Sequence, residues 1–423
     1  MCPNPSFSLE AKYTAAMHTR TGAPRRVKAI GVVPVALALL ISACSSQTSS
    51  SVHKVSTGMH VVPATIPIGA PVFPAGASSG NGDGLLIFDP QVPSSNTPKH
   101  FVPPDSALLA GVSSHGKLRP LLTIAQGRAL MAHYKRSGGI FVTSASFVNA
   151  KDGWATLWSG LSAMGIVVKT TSGGRSWTQV RGSYSAGNGS SLIVTAVSAT
   201  TAWLEITPAG ENVGDYFYRI TAAGQQVQPV CLCDGGPTLL GLLSKSDAIG
   251  AISPLDNQPP RPAGVSFLTF SGTKSTTWVP ATPLHYALAA GGGLQRQPKV
   301  VGITMGPHKG ISNVVVETNH TVKARIRISD IHDLPSATFG PHGSLLLGWV
   351  TEQGDAKLAL FASGQSKPYK TADLGSILPR HGGVGPIGPQ PVTVQRAGSS
   401  FLVLSAESLH NSGVLKRAWT VSS

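Results

Sequence analysis

The chain has 423 residues, enough for one large domain or two. Only 12% of the residues are charged, while Gly occurs 48 times and Pro 32 times, which favours a turn-rich all-β protein over a helical one. The formal net charge of +15 suits anionic lipid head groups, acidic envelope polymers or nucleic acid, or is simply a basic surface. Nucleic acid is not expected, because the basic residues after Arg26 are scattered singly.

The N-terminal segment has the pattern of a signal peptide. An uncharged, mostly apolar stretch from Ala29 to Ala43 follows a basic flank made of Arg20, Arg25, Arg26 and Lys28. This stretch is shorter than the about 20 residues that a membrane-spanning helix needs. Residues 1–16 do not fit a signal peptide, so Met17 is an alternative initiator.

The apolar stretch ends in Ile41-Ser42-Ala43-Cys44, and Ile41 fits the ordinary A-x-A cleavage rule poorly. This sequence resembles the lipobox of bacterial lipoproteins, in which a Cys is lipidated and becomes the new N-terminus. The resemblance implies that residues 1–43 are removed, and that lipid on Cys44 anchors the protein to the cell membrane, facing the extracytoplasmic side. An uncleaved N-terminal anchor with an incidental Cys is the alternative.

Residues 44–81 are predicted to form a lipidated, disordered, Ser/Pro-rich tether. The tract Ser45–Ser51 is rich in serine, and prolines are then spaced regularly from Pro63 to Pro74, as in extended chains. The folded domain is expected to cover residues 82–423. Leu85–Phe88 is its first apolar, strand-like run.

The stretch from Leu121 to Arg136 has a composition that favours helix. It predicts a short helix between strands, although Gly127 interrupts the pattern.

The clearest strand pattern lies between Ala145 and Val180. Two strands flank a turn at Asp152-Gly153, a β-branched run covers Gly165–Thr170, and a Gly173-Gly174 turn leads into another strand. This segment therefore predicts four strands in succession.

The strings FVNAKDGWATL and VVKTTSGGRSWTQV resemble one blade of the BNR or Asp-box β-propellers, which include sialidase-like domains and photosystem II assembly-factor-like repeats. The Asp-box pattern is roughly Ser/Thr-x-Asp-x-Gly-x-Thr-Trp. This chain matches it at Gly174 and Trp177 but has Ser172 at the Asp position. The resemblance implies that Ser172 makes the turn contact more weakly than Asp would, and that Trp177 packs inside the blade.

The unit recurs along the chain. Trp154 is echoed by Trp203 after 49 residues, and weaker matches follow around Trp278, Trp349 and Trp419. A period near 50 residues lies in the range of propeller blades. The chain is therefore predicted to form a β-propeller of six or seven four-stranded blades, with a β-sandwich array as the alternative.

A propeller must close its ring, because an open ring exposes strand edges. The final hairpin, Phe401–Leu404 with Val414–Val421, is expected to belong to the last blade. The strand that completes this blade is expected near Leu85–Phe88.

Cys231 and Cys233 form a C-x-C pair. It could close a small disulfide in an oxidising envelope, carry free thiols or bind a soft metal. Metal binding is not predicted, because no His or third Cys lies nearby at ligand spacing.

Signatures of enzymatic chemistry are largely missing from the sequence. It contains no Arg-Ile-Pro motif of the sialidases and no phosphate-binding loop, and Gly111–Gly116 has the wrong spacing for the nucleophile elbow of a serine hydrolase. We therefore predict no catalytic, cofactor-binding or metal residues and no cofactor. The expected function is that of a monomeric, non-enzymatic propeller that binds a protein or an envelope polymer through loops on one face. The alternative is an extracytoplasmic glycan hydrolase of sialidase-like fold with an unrecognised carboxylate pair.

Replacing Cys44 with Ala tests the anchor. The substitution removes the thiol that would carry the lipid, so the precursor should stay uncleaved or the protein should leave the membrane. Membrane fractionation and the mass of the mature N-terminus measure both results. A processed variant that is still membrane-bound through its N-terminus would contradict the lipoprotein prediction.

Overall fold

The protein is described by a computed structural model, in which the chain divides into two compact units, Met1–Val52 and His53–Ser423. All described residues belong to the second unit. They are residues 59–64, 71–73, 77–79, 83–88, 106–134, 139–159, 164–180, 184–185, 191–207, 216–223, 226–231, 237–242, 247–252, 264–271, 274–292, 298–305, 311–328, 331, 334–377, 392–409 and 412–422. Cys44 lies outside these residues.

The described chain is nearly all strand and forms seven four-stranded antiparallel blades. Three short strands come first: β1 (His60–Pro63), β2 (Pro71–Phe73) and β3 (Ala77–Ser79). Blade 1 combines β2 with β4 (Gly84–Phe88), β5 (Ala107–Val112) and β6 (Leu118–Thr123). Blade 2 consists of β7 (Ile140–Phe147), β8 (Gly153–Ser159), β9 (Met164–Thr170) and β10 (Thr178–Gln179), with β11 (Tyr184–Ser185) also paired to β9.

The next three blades are four-stranded sheets that follow the chain order. Blade 3 consists of β12 (Ser191–Ser198), β13 (Thr201–Thr207), β14 (Tyr216–Thr221) and β15 (Gln226–Cys231). Blade 4 consists of β16 (Pro237–Leu242), β17 (Asp247–Ile252), β18 (Ser266–Ser271) and β19 (Lys274–Trp278). Blade 5 consists of β20 (Tyr286–Gly292), β21 (Pro298–Met305), β22 (Ile311–Thr318) and β23 (Thr321–Ile326).

Two further blades complete the ring. Blade 6 consists of β24 (Ser336–Phe339), β25 (Leu345–Val350), β26 (Asp355–Phe361) and β27 (Lys370–Ser376). Blade 7 consists of β28 (Val392–Ala397), β29 (Ser400–Leu409), β30 (Ser412–Ser422) and β1. The predicted propeller, with the larger of its two expected blade numbers, is therefore confirmed.

The core of the propeller lies between neighbouring blades. Every residue of β8 is buried, because the strand is covered on both faces. Ala155 and Leu157 belong to the apolar cluster shared with blade 1, whereas Trp154 and Trp158 belong to the cluster shared with blade 3. This division follows from the two-residue period of a strand, which sends alternate side chains to opposite faces of the sheet.

Hydroxyl groups link the inner strands of adjacent blades. Ser144 Oγ accepts a hydrogen bond from Val194 N at 3.2 Å, and Ser146 Oγ accepts one from Ala196 N at 3.0 Å. Between blades 6 and 7, Val394 N donates to Ser336 Oγ at 3.1 Å. These contacts satisfy backbone donors of strand edges that do not pair with another strand there.

Strands from the two ends of the described chain close the ring. β1 pairs antiparallel with the end of β30, from His60 opposite Ser422 to Pro63 opposite Trp419. β2 then bridges the blades, since it pairs with β30 at Val414 and with β4 at Phe88. Closure by strands from both ends was expected.

The prediction that Leu85–Phe88 completes the last blade was wrong. Leu85–Phe88 lies in β4 of blade 1, and the completing strand is β1. β1 is an edge strand, where Pro63 is tolerated because it need not donate to a further strand.

The propeller also begins earlier than the predicted boundary at residue 82. β1, β2 and β3 all lie within the predicted tether, and β3 pairs in parallel with β7. The spaced prolines indicated an extended backbone, and short edge strands use the same backbone conformation.

The predicted helix is present but shorter than the helix-favouring stretch. Helix α1 (Ile124–Leu130) begins with a capping box formed by Thr123 and Gln126, and a 3₁₀ turn at Ala132–Tyr134 follows. Gly127 does not break the helix. It allows close packing, since a Cβ there would lie 3.0 Å from Leu108 Cδ1.

A second 3₁₀ turn covers Pro341–Gly343 in blade 6. Across the described part of the chain, no helix is both long enough and apolar enough to cross a membrane.

Deleting residues from Lys416 onward should unfold the propeller cooperatively, because this removes the part of β30 that pairs with β1. An internal deletion of residues 59–64 removes the other half of the same pairing and should have a comparable effect. Limited proteolysis and thermal melting measure both deletions. A deletion of Ser45–Ser51 is the control and should leave the melting temperature unchanged. A protease-resistant core of nearly full size in the Lys416 truncation would contradict this role of the closing strands.

Candidate functional site between blades 1 and 2

A cleft of about 430 Å³ lies where blade 1 meets two turns of blade 2. One turn joins β7 to β8, and the other joins β9 to β10. The cleft is lined by Arg119, Ala150, Lys151, Thr171, Ser172, Gly173 and Arg175. We call it the blade 1–2 cleft.

Side-chain hydroxyls shape the turn between β9 and β10. Thr170 Oγ1 accepts hydrogen bonds from Gly174 N at 3.0 Å and from Ser172 N at 3.2 Å. Ser172 Oγ accepts from Ser176 N at 2.9 Å. Gly174 has a φ of +88°, and a Cβ there would lie 2.6 Å from Leu121 O, so only glycine fits this position.

An asparagine organises the turn between β7 and β8. Asn149 Oδ1 accepts from Lys151 N at 2.7 Å and from Asp152 N at 2.9 Å, while its amide donates to Asp152 Oδ2 at 2.8 Å. Gly173 N donates to Lys151 O at 2.8 Å and so joins the two turns. The backbone that carries Lys151 is therefore held against the neighbouring turn.

Arg119 crosses from blade 1 to blade 2. Its Nη1 donates to Gly173 O at 2.8 Å, and its Nη2 lies 3.2 Å from Asp83 Oδ2. The guanidinium is thus oriented before any ligand arrives. The ion pair itself adds little stability, because the Arg119 side chain is 49% exposed and exposed pairs contribute about 0–1 kcal/mol.

The blade 1–2 cleft is strongly basic. Arg119, Lys151 and Arg175 converge on it, and no Asp or Glu is among the described residues that line it. Asp83 can offset one of these three charges. Because each exposed charge contact is weak, the arrangement suits a ligand with several negative charges better than a single small anion.

The structure separates the predicted repeat residues by role. Ser172 lines the cleft, and Gly174 shapes its turn. Trp177 is 8% exposed and donates from Nε1 to Leu121 O at 2.7 Å. Trp154 is buried and donates to Ser198 O at 2.9 Å, and Trp203 is buried against Phe270 of blade 4.

The two cysteines are only partly described. Cys231 is the last residue of β15, and Cys233 lies outside the described residues. Among the residues with described positions, no group of three or more His, Cys, Asp or Glu could hold a metal ion.

The three basic residues were not singled out by sequence reasoning, which treated the basic residues as scattered. Only the positions of Lys151 and Arg175 could have indicated a shared site, because the two residues lie in the two predicted turns, beside Asp152 and Gly174. Arg119 carried no such signal, because its partner Gly173 is 54 residues away.

No protein family model matches the chain, and no curated protein matches its sequence. Solved structures resemble its chain path at low identity. The β-propeller domain of the Trilobed protease from Pyrococcus furiosus has a TM-score of 0.41 at 8% identity, covering 64% of this chain and 75% of that one. The GH93 α-L-arabinofuranosidase of Fusarium graminearum has a TM-score of 0.39 at 11% identity, covering 64% and 89%. An uncharacterised protein of Listeria monocytogenes EGD-e has a TM-score of 0.40 at 9% identity, covering 61% and 72%.

Substitutions in the turn between β9 and β10 test its construction. Trp177→Ala should cost about 3–5 kcal/mol in unfolding free energy, as truncation of a buried aromatic does. Thr170→Val removes the acceptor for two backbone N–H groups and should cost about 1–3 kcal/mol.

Ser172→Asp should be neutral or mildly stabilising, because a carboxylate accepts the Ser176 N–H more strongly than a hydroxyl does. Denaturant unfolding measures all three, and a loss above about 1 kcal/mol for Ser172→Asp would contradict this account of the turn.

Proposed function

We propose that this protein is a lipid-anchored, extracytoplasmic β-propeller that binds an anionic polymer of the cell envelope without chemically changing it. The observation that carries the proposal is the convergence of Arg119, Lys151 and Arg175 on one cleft with no described acid in its lining. The blades behind the cleft are rigid sheets, and turns on such a scaffold are well placed for recognition.

The charge pattern favours a polymer over a small ligand. A single contact with an exposed cation contributes about 0.2–1 kcal/mol, which is too little for useful affinity. Several contacts made by one chain add up, and salt screens them over a Debye length of about 8 Å at physiological ionic strength. Binding should therefore be multivalent and salt-dependent.

The anchor part of the proposal rests on the sequence around Cys44. The basic flank, the apolar stretch and the small residues before Cys44 occur in the order of a lipoprotein precursor. A tethered domain would lie close to the envelope polymers at the membrane surface, where its basic cleft could bind an anionic polymer.

We also propose that the turn between β9 and β10 is a degenerate Asp-box of the BNR type. Ser172 Oγ accepts the Ser176 N–H at 2.9 Å, the kind of turn contact that an Asp carboxylate makes in that motif. Trp177 stands at the motif's Trp position, and its ring packs edge-on against the ring of Phe147 with 6.0 Å between the ring centroids. These contacts are the support for the assignment.

Binding is a better proposal for this cleft than glycan hydrolysis. Glycoside hydrolysis commonly uses two carboxylates that flank the scissile bond. Two described acids beside the lining residues are already engaged: Asp83 pairs with Arg119, and Asp152 accepts from Asn149. Neither acid lines the cleft.

Charge reversal in the cleft tests the proposal. Arg175→Glu combined with Lys151→Glu should weaken binding of poly-L-glutamate by at least about tenfold at low salt, since about 1.4 kcal/mol corresponds to a factor of ten. Fluorescence anisotropy with labelled polymer measures the dissociation constant. Arg417→Glu combined with Arg327→Glu, at exposed positions in β30 of blade 7 and just after β23 of blade 5, changes the net charge by the same amount and is the control. An equal loss in the control would contradict a role for the cleft.

Ser172→Asp separates charge from folding. It should leave the domain as stable as the wild type but place a negative charge in the cleft, so polymer binding should fall. Unchanged binding in a folded Ser172→Asp variant would argue that the polymer lies elsewhere.

A further inference from the structure

A second basic cleft, of about 260 Å³, lies between blades 5 and 6. Lys299 and Lys323 line it together with the buried side chains of Leu345 and Phe361, and no Asp or Glu is among its described lining residues. Lys299 Nζ donates to Ser363 Oγ at 3.4 Å, across the interface between the two blades. We call this the blade 5–6 cleft.

Both clefts lie on the same face of the propeller. The blade 5–6 cleft includes the turn from β24 to β25 and the turn that follows β26. These are the first-to-second and third-to-fourth strand turns of blade 6. The blade 1–2 cleft uses the same two turns of blade 2. Because the blades repeat around one axis, equivalent turns point to the same side.

The two clefts lie nearly opposite each other across the central channel. The interfaces are four blades apart in one direction and three in the other. Packed sheets are separated by about 10 Å, so seven blades give a circumference of about 70 Å at mid-blade and a radius of about 11 Å. The same geometry places the clefts about 20 Å apart.

The described ends of the inner strands carry no acid on this face, and its described acids Asp83, Asp152 and Asp247 lie at the ends of strands farther from the channel. The inner strands β7, β12, β16, β20, β24 and β28 all end at this face. None of their described last residues is acidic: Phe147, Ser198, Leu242, Gly292, Phe339 and Ala397.

We propose that one linear polyanion occupies both clefts at once, crossing the mouth of the channel, so that the protein selects polymers by length. This inference rests on the proposed function, because it assigns the blade 1–2 cleft as the first contact and the blade 5–6 cleft as the second. Once one cleft is occupied, binding to the other is intramolecular and its effective concentration is high. The ligand chemistry is a repeated carboxylate or phosphate along a flexible chain.

The geometry sets a length threshold. An extended peptide spans at most about 3.3–3.6 Å per residue, so about six residues cover the gap of about 20 Å between the clefts. More residues are needed to fill each cleft. An oligomer of three glutamates can reach one cleft only, whereas one of twelve can reach both.

The experiment measures binding of oligo-L-glutamates of 3, 6, 12 and 18 residues to the full-length lipidated protein in non-ionic detergent. Affinity should rise at least tenfold between 6 and 12 residues and change little from 12 to 18. The double variant Lys299→Met with Lys323→Met should lose this rise but should still bind the 3-residue oligomer at the blade 1–2 cleft. The double variant Lys367→Met with Lys370→Met removes one charge from the turn after β26 and one from the first residue of β27, both outside the cleft lining, and should keep the rise.

The outcomes separate this inference from the proposed function. If the rise persists in the Lys299/Lys323 variant, or the Lys367/Lys370 control loses it equally, the two-cleft inference is overturned and the proposed function stands. If Arg175→Glu leaves binding of every oligomer unchanged, the proposed function fails and the inference fails with it. The single variant Lys323→Glu, at an exposed position, repeats the test if the double variant does not fold. A parallel series of polyphosphate chains distinguishes phosphate from carboxylate: a rise with either supports the inference, and a rise with neither overturns it.

Discussion

The antiparallel pairing of β1 with β30 is the contact on which the rest of this propeller depends. It joins residues about 360 positions apart, as the hydrogen bond from Thr420 Oγ1 to Val62 O illustrates at a separation of 358. Without it, the last blade would have an open strand edge. The same closure brings blade 7 against blade 1, where a Cβ at Gly84 would lie 2.7 Å from Leu402 Cβ. Blade 1, which supplies Arg119 to the cleft, is therefore held in place by the closed ring.

Closure and burial leave the turns as the part of the propeller available for recognition. Strands such as β8 are covered on both faces, so their side chains are committed to packing. At the blade 1–2 cleft, the contacts that hold the turns also orient the charges. Arg119 donates to Gly173 O, and Gly173 N donates to Lys151 O. The proposed binding surface thus needs little reorganisation on binding, which limits its entropic cost.

Local patterns predicted the strands between Ala145 and Val180 and the final hairpin, and they missed the short strands that close the ring. The hairpins between Ala145 and Val180 follow from alternating apolar residues and glycine turns, which are read within a few residues. β1 to β3 are three or four residues long, lie among prolines and pair with strands distant in sequence. Segments this short have no local periodicity from which the strand they pair with could be predicted. The proline spacing indicated an extended chain correctly but could not distinguish a free tether from an edge strand.

The sequence by itself determined the all-β class, the blade-sized repeat and the turn built around Ser172, Gly174 and Trp177. These features depend on side-chain alternation and turn chemistry, which act over a few residues. Only the tertiary structure decided that Arg119, Lys151 and Arg175 share one cleft. That convergence depends on how blade 1 packs against two turns of blade 2, and packing between blades is set by the whole ring rather than by any local pattern.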